Sequence, residues 1–179
     1  TKSWQEDAEK FIDECKKIKP VDTPTLFERI WKGSMPGIVS GLYSDRNMYY
    51  SSYPSTYVER DVRDISGTVD ALKFNRFITA VAARTSQLLN YHALAEDAEI
   101  DMPTAKAWVD ILETLGIIFL LHPYSNNVLK RTIKTPKVYF YDTGLVCYLT
   151  KWSSPEFAES GAMSGALLEN FAVSEIMKG

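Results

Sequence analysis

The residues best placed to do chemistry in this chain lie in two neighbouring stretches. In 102–115 the positions Thr104, Lys106, Ala107 and Asp110 share one side of a helical pattern whose other side is Ala105, Trp108, Val109 and Leu112. In the fifteen residues 122–136 stand the cations Lys130, Arg131 and Lys134, among His122, Pro123, Asn126 and Asn127. A helix face of small and polar residues beside a cationic loop suits duplex DNA, the helix entering the major groove while Lys and Arg neutralise phosphates. Residues 122–151 carry five cations (Lys130, Arg131, Lys134, Lys137, Lys151) against the single Asp142, a basic middle hidden inside a net charge of −3. The helix has no Arg, Asn or Gln on its polar side with bidentate reach to a base edge. The contact it predicts is therefore weak and led by the DNA backbone.

Catalytic chemistry finds little to work with. A phosphate-cradling GxxxxGK[ST] loop is absent, as are GxSxG, HExxH and CxxC. Glu59, Arg60, Asp61, Arg63 and Asp64 crowd together, but consecutive helical residues point in different directions, which reads as a solvated, salt-bridged face. Glu169 and Glu175 are six residues apart and do not share a helix face. His92 and His122 have no Cys or His companions, which argues against zinc, and no metal site is expected. Cys15 and Cys147 fall in apolar helical patterns and read as reduced core thiols.

Signals for the elements that would position the DNA-facing residues are strong. Asn90 can cap a helix carrying Leu94, Ala95 and Ala98, and Asp101 can cap the next, with Pro103 tolerated in its first turn and Gly116 ending it. Residues 117–121 and 137–141 are apolar, β-branched and aromatic runs that read as two strands flanking the basic loop. Upstream, Asp70 can cap a helix in which Leu72, Phe74, Phe77, Ile78 and Val81 are apolar. Asp142 can cap a short helix with Leu145, Val146, Tyr148 and Leu149. The predicted fold is mainly α with a small β wing: a helical segment over 1–67, a winged helix-turn-helix over 68–151, and a loop with a final helix over 152–179.

In the first segment Ser3 and Glu6 form a capping box for a helix ending near Pro20, and Thr23-Pro24 starts another with Leu26, Phe27, Ile30 and Trp31 inward. From Ile38 the pattern stays helical to Arg63, with Tyr49, Tyr50, Tyr53 and Tyr57 as an aromatic stripe. Without interleaved cations that stripe reads as packing rather than as a stacking platform for bases. Residues 152–165 read as a polar loop. The last helix presents Leu168, Phe171 and Ile176, a face expected to stay undocked unless a neighbour covers it. The chain opens on Thr1 and has no run of eighteen apolar residues and no secretory leader pattern, so it reads as a cytoplasmic fragment with no membrane segment.

Several phrases together resemble a family: Thr56-Tyr57-Val58-Glu59-Arg60-Asp61-Val62, Leu88-Leu89-Asn90, Thr104-Ala105-Lys106-Ala107-Trp108, Pro123-Tyr124, Asn127 with Lys130-Arg131, Lys134-Thr135-Pro136-Lys137, Asp142-Thr143-Gly144-Leu145, and Gly165 through Leu168-Glu169. They are similar to the C-terminal half of prokaryotic AAA-type ATP-binding proteins carrying the domain of unknown function 4143. The resemblance implies an upstream ATPase core using ATP and Mg in the parent protein, with no cofactor held by this part. It also implies a central winged helix-turn-helix and a following restriction-endonuclease-like fold. It would place Arg60 towards the parent's nucleotide site and Glu169 at the start of the nuclease-like fold. Ser34, Ser86 and Glu99 stand where that family tends to have glycine; Glu99 in a left-handed turn would cost on the order of 1 kcal/mol.

Two functions follow from these readings. One is duplex DNA binding, with Thr104, Lys106 and Ala107 at the groove and Lys130, Arg131 and Lys134 on phosphates. The other is a protein-interaction role, the winged fold packing on the ATPase core or on other protomers and relaying nucleotide state; enzymatic activity belongs only to the parent, as an ATP hydrolase. The basic loop favours DNA, because burying its cations unpaired in a protein interface would be costly.

Overall fold

The computed structural model describes residues 10, 13, 19–53, 70–124 and 135–178. Most of its described helices begin where short polar side chains can hold the first free N–H groups. In α1 (Thr23–Lys32) the Asp22 carboxylate accepts from Thr25 N at 2.9 Å and Pro24 lies in the first turn, while Phe27 and Ile30 are buried. Gly33, at φ +83°, ends it. The continuous helix expected from Ile38 is instead two short ones, α2 (Pro36–Val39) and α3 (Arg46–Ser52). Between them Gly41 turns the chain at φ +74°, and Asp45 restarts it by accepting from Asn47 N and Met48 N. The stretch around Pro54 and Tyr57 lies outside the described residues. Tyr50 is fully buried and Tyr49 and Tyr53 are half-buried, so this part of the tyrosine stripe is packing.

Next come α4 (Ala71–Ala83), α5 (Tyr91–Ala98) and α6 (Met102–Thr114), capped by Asp70, Asn90 and Asp101 in turn. Phe74 and Phe77 of α4 meet the Trp108 ring of α6 edge-on, at 5.3 and 5.2 Å between centroids. Strands β1 (Ile118–Leu121) and β2 (Lys137–Phe140) pair antiparallel, Ile118 opposite Phe140 and Leu121 opposite Lys137. The described residues are thus mainly helical with one small two-stranded antiparallel sheet. The outer edge of β2 is also occupied: Ser86 N donates to Val138 O, Val138 N to Gln87 O and Leu89 N to Pro136 O, with an isolated bridge between Leu88 and Lys137.

After the sheet, α7 (Thr143–Leu149) and α8 (Pro155–Ser160) turn back over α1. Helix α8 replaces the polar loop expected at 152–165; its start signal is Ser154 followed by Pro155, with Ser154 Oγ accepting from Phe157 N. Helix α9 (Ser164–Lys178) docks on β2, α7, α8 and α1, contrary to the expectation that it would need an outside cover. The inward face differs too: Leu167, Asn170 and Ser174 are buried, whereas Leu168 and Ile176 are exposed and Phe171 is half-buried. Polar groups dominate because the surface α9 meets is the unpaired end of β2. There Asn170 Oδ1 accepts from Phe140 N, and its Nδ2 donates to Phe140 O, both at 2.8 Å. Asn170 Oδ1 also takes the Thr85 hydroxyl, and Ser86 Oγ donates to Ala166 O. One side-chain amide therefore completes the edge that residues 86–89 leave unfinished.

A second polar seam joins α1 and α3 to α7. Asp142 is buried; besides capping α7 through Leu145 N, it accepts from Tyr50 Oη at 2.7 Å and Ser34 N at 2.6 Å. Arg46, also buried, donates to Trp31 O and Gly144 O and stacks 4.1 Å from the Trp31 ring centroid. A Cβ on Gly144 would stand 2.3 Å from Tyr50 Oη and 2.7 Å from Gly33 Cα, so the two backbones approach as closely as hydrogen alone permits. Burial pushes the Tyr50 hydroxyl well above its ordinary range, and the neighbouring Asp142 adds to the rise; burial also raises the Cys147 thiol to about 12. That thiol is unreactive core.

Candidate functional site

Helices α5 and α6 present the surface that the sequence nominates. The Asn90 carboxamide accepts from Ala93 N, and α5 ends at Glu99, which takes a left-handed conformation at φ +54°. Glycine would relax that turn, so its strain is real here. The turn is held by Arg76, whose Nη1 meets Glu99 Oε1 at 2.6 Å. Asp101 then accepts from Thr104 N at 2.8 Å and starts α6; hydrogen bonding from the Thr104 side chain and backbone holds its carboxyl below the usual range.

Of the proposed groove-facing residues, Lys106 and Ala107 are exposed and Thr104 is half-buried. Lys106 Nζ is drawn over the Tyr91 ring, 5.7 Å from its centroid. The rest of the face is acidic. Over 90–116 the chain carries Glu96, Asp97, Glu99, Asp101, Asp110 and Glu113, all exposed, against Lys106 as the one cation. Arg76 and, at 2.7 Å, Arg84 of α4 pair with Glu99 and Asp97, which leaves Asp101, Asp110 and Glu113 along α6. Burial, then the nearness of Asp110 and Glu113, raises the Tyr91 hydroxyl above its ordinary value, so the acidic field reaches α5.

The cationic half of the expected site, Lys130, Arg131 and Lys134, lies outside the described residues, as does Arg60. Lys137, at the foot of β2, meets Glu169 Oε1 at 2.7 Å. Glu169 also accepts from Tyr139 Oη at 2.6 Å, and donation from Lys137 and Tyr139 lowers its carboxyl pKa. Its visible work is to fasten α9 to the sheet. Among the described residues no group of three or more His, Cys, Asp and Glu could hold a metal ion, and no helix is long and apolar enough to cross a membrane.

A cavity of about 540 Å³ opens beside this face, walled by Leu88, Tyr91, Met102, Lys106 and Thr135. Leu88 is 62% and Met102 45% exposed, so apolar side chains line it in contact with solvent. Sequence reasoning missed this feature because Leu88 belongs to a bridge too short to show strand periodicity.

A family model described as a domain of unknown function (DUF8612) matches residues 23–156. Uncharacterized proteins of Mycobacterium bovis and Mycobacterium tuberculosis are each 26% identical to this chain over 151 residues, covering 83% of it. The chain spans about a third of their length, 34% in each case. No solved structure matches. These findings correct the resemblance to AAA-type proteins with the domain of unknown function 4143: the matching model is a different family, and neither relative bears an ATPase name. The implied ATP and Mg chemistry, the role of Arg60 and the nuclease-like role of Glu169 lose their support with it. The shared phrases misled because capped helices, a strand pair and Asp-Thr-Gly turns serve packing in many families.

Proposed function

We propose that this chain, which belongs to the family described as a domain of unknown function (DUF8612), is a protein-docking module of winged-helix architecture whose exposed helix-turn-helix face contacts another protein. The order α4, short strand at Leu88, α5, α6, β1, β2 supports the winged-helix assignment, with residues 122–136 as the wing between the strands. The choice of partner rests on one observation. Of the six exposed carboxylates over 90–116, Asp97 and Glu99 are paired with Arg84 and Arg76, and Asp101, Asp110 and Glu113 remain along α6 against Lys106, a surface that disfavours a phosphate backbone, since duplex DNA carries a negative charge about every 1.7 Å of helix axis. A winged fold by itself permits either partner, and the charge of this face is what favours protein.

Duplex binding through the wing is the second reading, favoured by Lys130, Arg131 and Lys134 in the sequence. Fluorescence anisotropy with short duplexes over a salt series separates the two. Docking to protein predicts no binding even at low salt. Three phosphate contacts from the wing predict instead a log–log salt slope near −3, from about −0.9 per contact, abolished by replacing all three cations with Ala. Observing that slope and its loss would overturn the protein-docking reading.

A further inference from the structure

We infer that the cavity between the Leu88 bridge and the start of α6 receives an extended, basic segment of a partner protein, added as a strand along the Leu88 edge. This rests on the protein-docking reading above and names the partner's chemistry. The bridge between Leu88 and Lys137 is of the type in which the flanking residues make the bonds: Val138 N to Gln87 O and Leu89 N to Pro136 O. The N–H and C=O of Leu88 therefore point away from β2, and among the described residues they meet no hydrogen-bonding group. An open main-chain donor and acceptor beside a cavity of about 540 Å³ is the geometry used by strand addition, where backbone bonds give affinity and adjoining pockets read alternate side chains.

The walls define which side chains fit. Leu88, Tyr91 and Met102 offer solvent-exposed apolar surface to one inward side chain of the added segment. In the wall itself Lys106 keeps its charge while lying over the Tyr91 ring, and His92 Nδ1 is 3.5 Å from Glu96 Oε2. The neighbouring carboxylates Asp101, Asp110 and Glu113 are exposed, and the latter two act on Tyr91 in the cavity wall. An extended segment alternating apolar and cationic residues answers both features. Its apolar side chains enter the cavity, and its Lys or Arg side chains turn to the carboxylates.

The test is a nuclear magnetic resonance titration of the ¹⁵N-labelled chain with a short synthetic peptide alternating Lys with Val and Leu, a counterpart carrying Glu in place of Lys, and a short DNA duplex. The inference expects amide shifts confined to 86–92 and 102–113 with the Lys peptide, binding at least about tenfold tighter than the Glu peptide. Asp110→Lys, at an exposed position, should weaken it about tenfold. Leu88→Ser should weaken it while leaving the spectrum of the free protein folded. Shifts spread over other acidic surfaces, or equal binding of the two peptides, overturn the inference. No response to either peptide or to the duplex overturns the groove while leaving the protein-docking reading standing. Shifts on α6 caused by the duplex overturn both.

Discussion

Replacing Asn170 by Leu, close in volume and without polar atoms, tests whether one amide closes the sheet edge. In the folded chain Asn170 satisfies Phe140 N–H, Phe140 C=O and the Thr85 hydroxyl, and Asn170 and Thr85 are themselves fully buried. Leucine leaves those three groups with no partner in a place that water reaches poorly. Each unsatisfied buried group costs about 1–3 kcal/mol, so the loss is roughly 3–6 kcal/mol once partial relaxation is allowed for. That is a large fraction of the roughly 5–15 kcal/mol that holds a domain folded. With a urea slope of about 2 kcal/mol/M, the unfolding midpoint should fall by roughly 2 M. Asn170→Asp sharpens the test. At neutral pH its charged carboxylate still accepts from Phe140 N–H but faces the Phe140 carbonyl without a proton. Protonated, it regains a donor, so this variant should gain stability as pH falls, opposite to the usual acid trend. Hydrogen exchange on α9 distinguishes detachment of that helix from global unfolding. A loss below about 1 kcal/mol for Asn170→Leu, with α9 still protected, would refute the assignment of the amide as the closing element.

Glu169 should give the wild-type chain an ordinary acid limb: its carboxyl pKa is held below 4.5 by donation from Lys137 and Tyr139. A depressed folded-state pKa means the stabilisation is complete above the unfolded value and disappears as pH falls through the folded one; melting temperatures from pH 7 to 3 should therefore show a drop below about pH 4.5 that Glu169→Gln reduces. Equal acid limbs in the two proteins would show that this cluster does not fasten α9. Gly144→Ala should lower stability by about 1–3 kcal/mol by pushing a methyl against Tyr50 Oη and the α1 terminus, measured by urea unfolding. Gly165→Ala, where a Cβ meets open space, is the matched control and should be neutral within about 0.5 kcal/mol.

Local chemistry made much of this fold legible. Asp70, Asn90, Asp101 and Asp142 are short polar residues one step before an apolar helical pattern, and each caps the helix it was expected to cap. The strands flanking the basic loop were visible as β-branched and aromatic runs, within a residue of their observed ends. Elements decided by distant partners were not legible. The break at Gly41 depends on a turn packed against α3, where Tyr43 and Tyr49 meet with ring centroids 5.0 Å apart. Helix α9 looked like an oily helix in search of a cover because Leu168 and Ile176 dominate its hydropathy. Its docking face is chosen instead by the orphan backbone of Phe140, thirty residues away. Pattern reading treats Asn170 as a polar interruption; the sheet edge makes it the anchor.

Charge is legible in the sequence, and its balance depends on the window over which it is summed. Summing 122–151 gives five cations to one anion, whereas over 90–116, the residues of α5 and α6, the sum runs six anions to one cation. Lys137 counted as a free cation from sequence, but Glu169 neutralises it in the fold. Lys106 counted as a groove contact, and the Tyr91 ring holds it. With Lys137 paired and Lys106 keeping its charge over the ring, the described part of the face sets Asp101, Asp110 and Glu113, which no cation of α4 meets, against that one lysine. A duplex approaching this side would meet these carboxylates, and their repulsion would be largest at low salt. The same carboxylates stand near an open strand edge and a cavity with exposed Leu88 and Met102 in its wall. On the inference drawn above, that combination is what would let a cationic, extended polypeptide be attracted at long range and fit at short range.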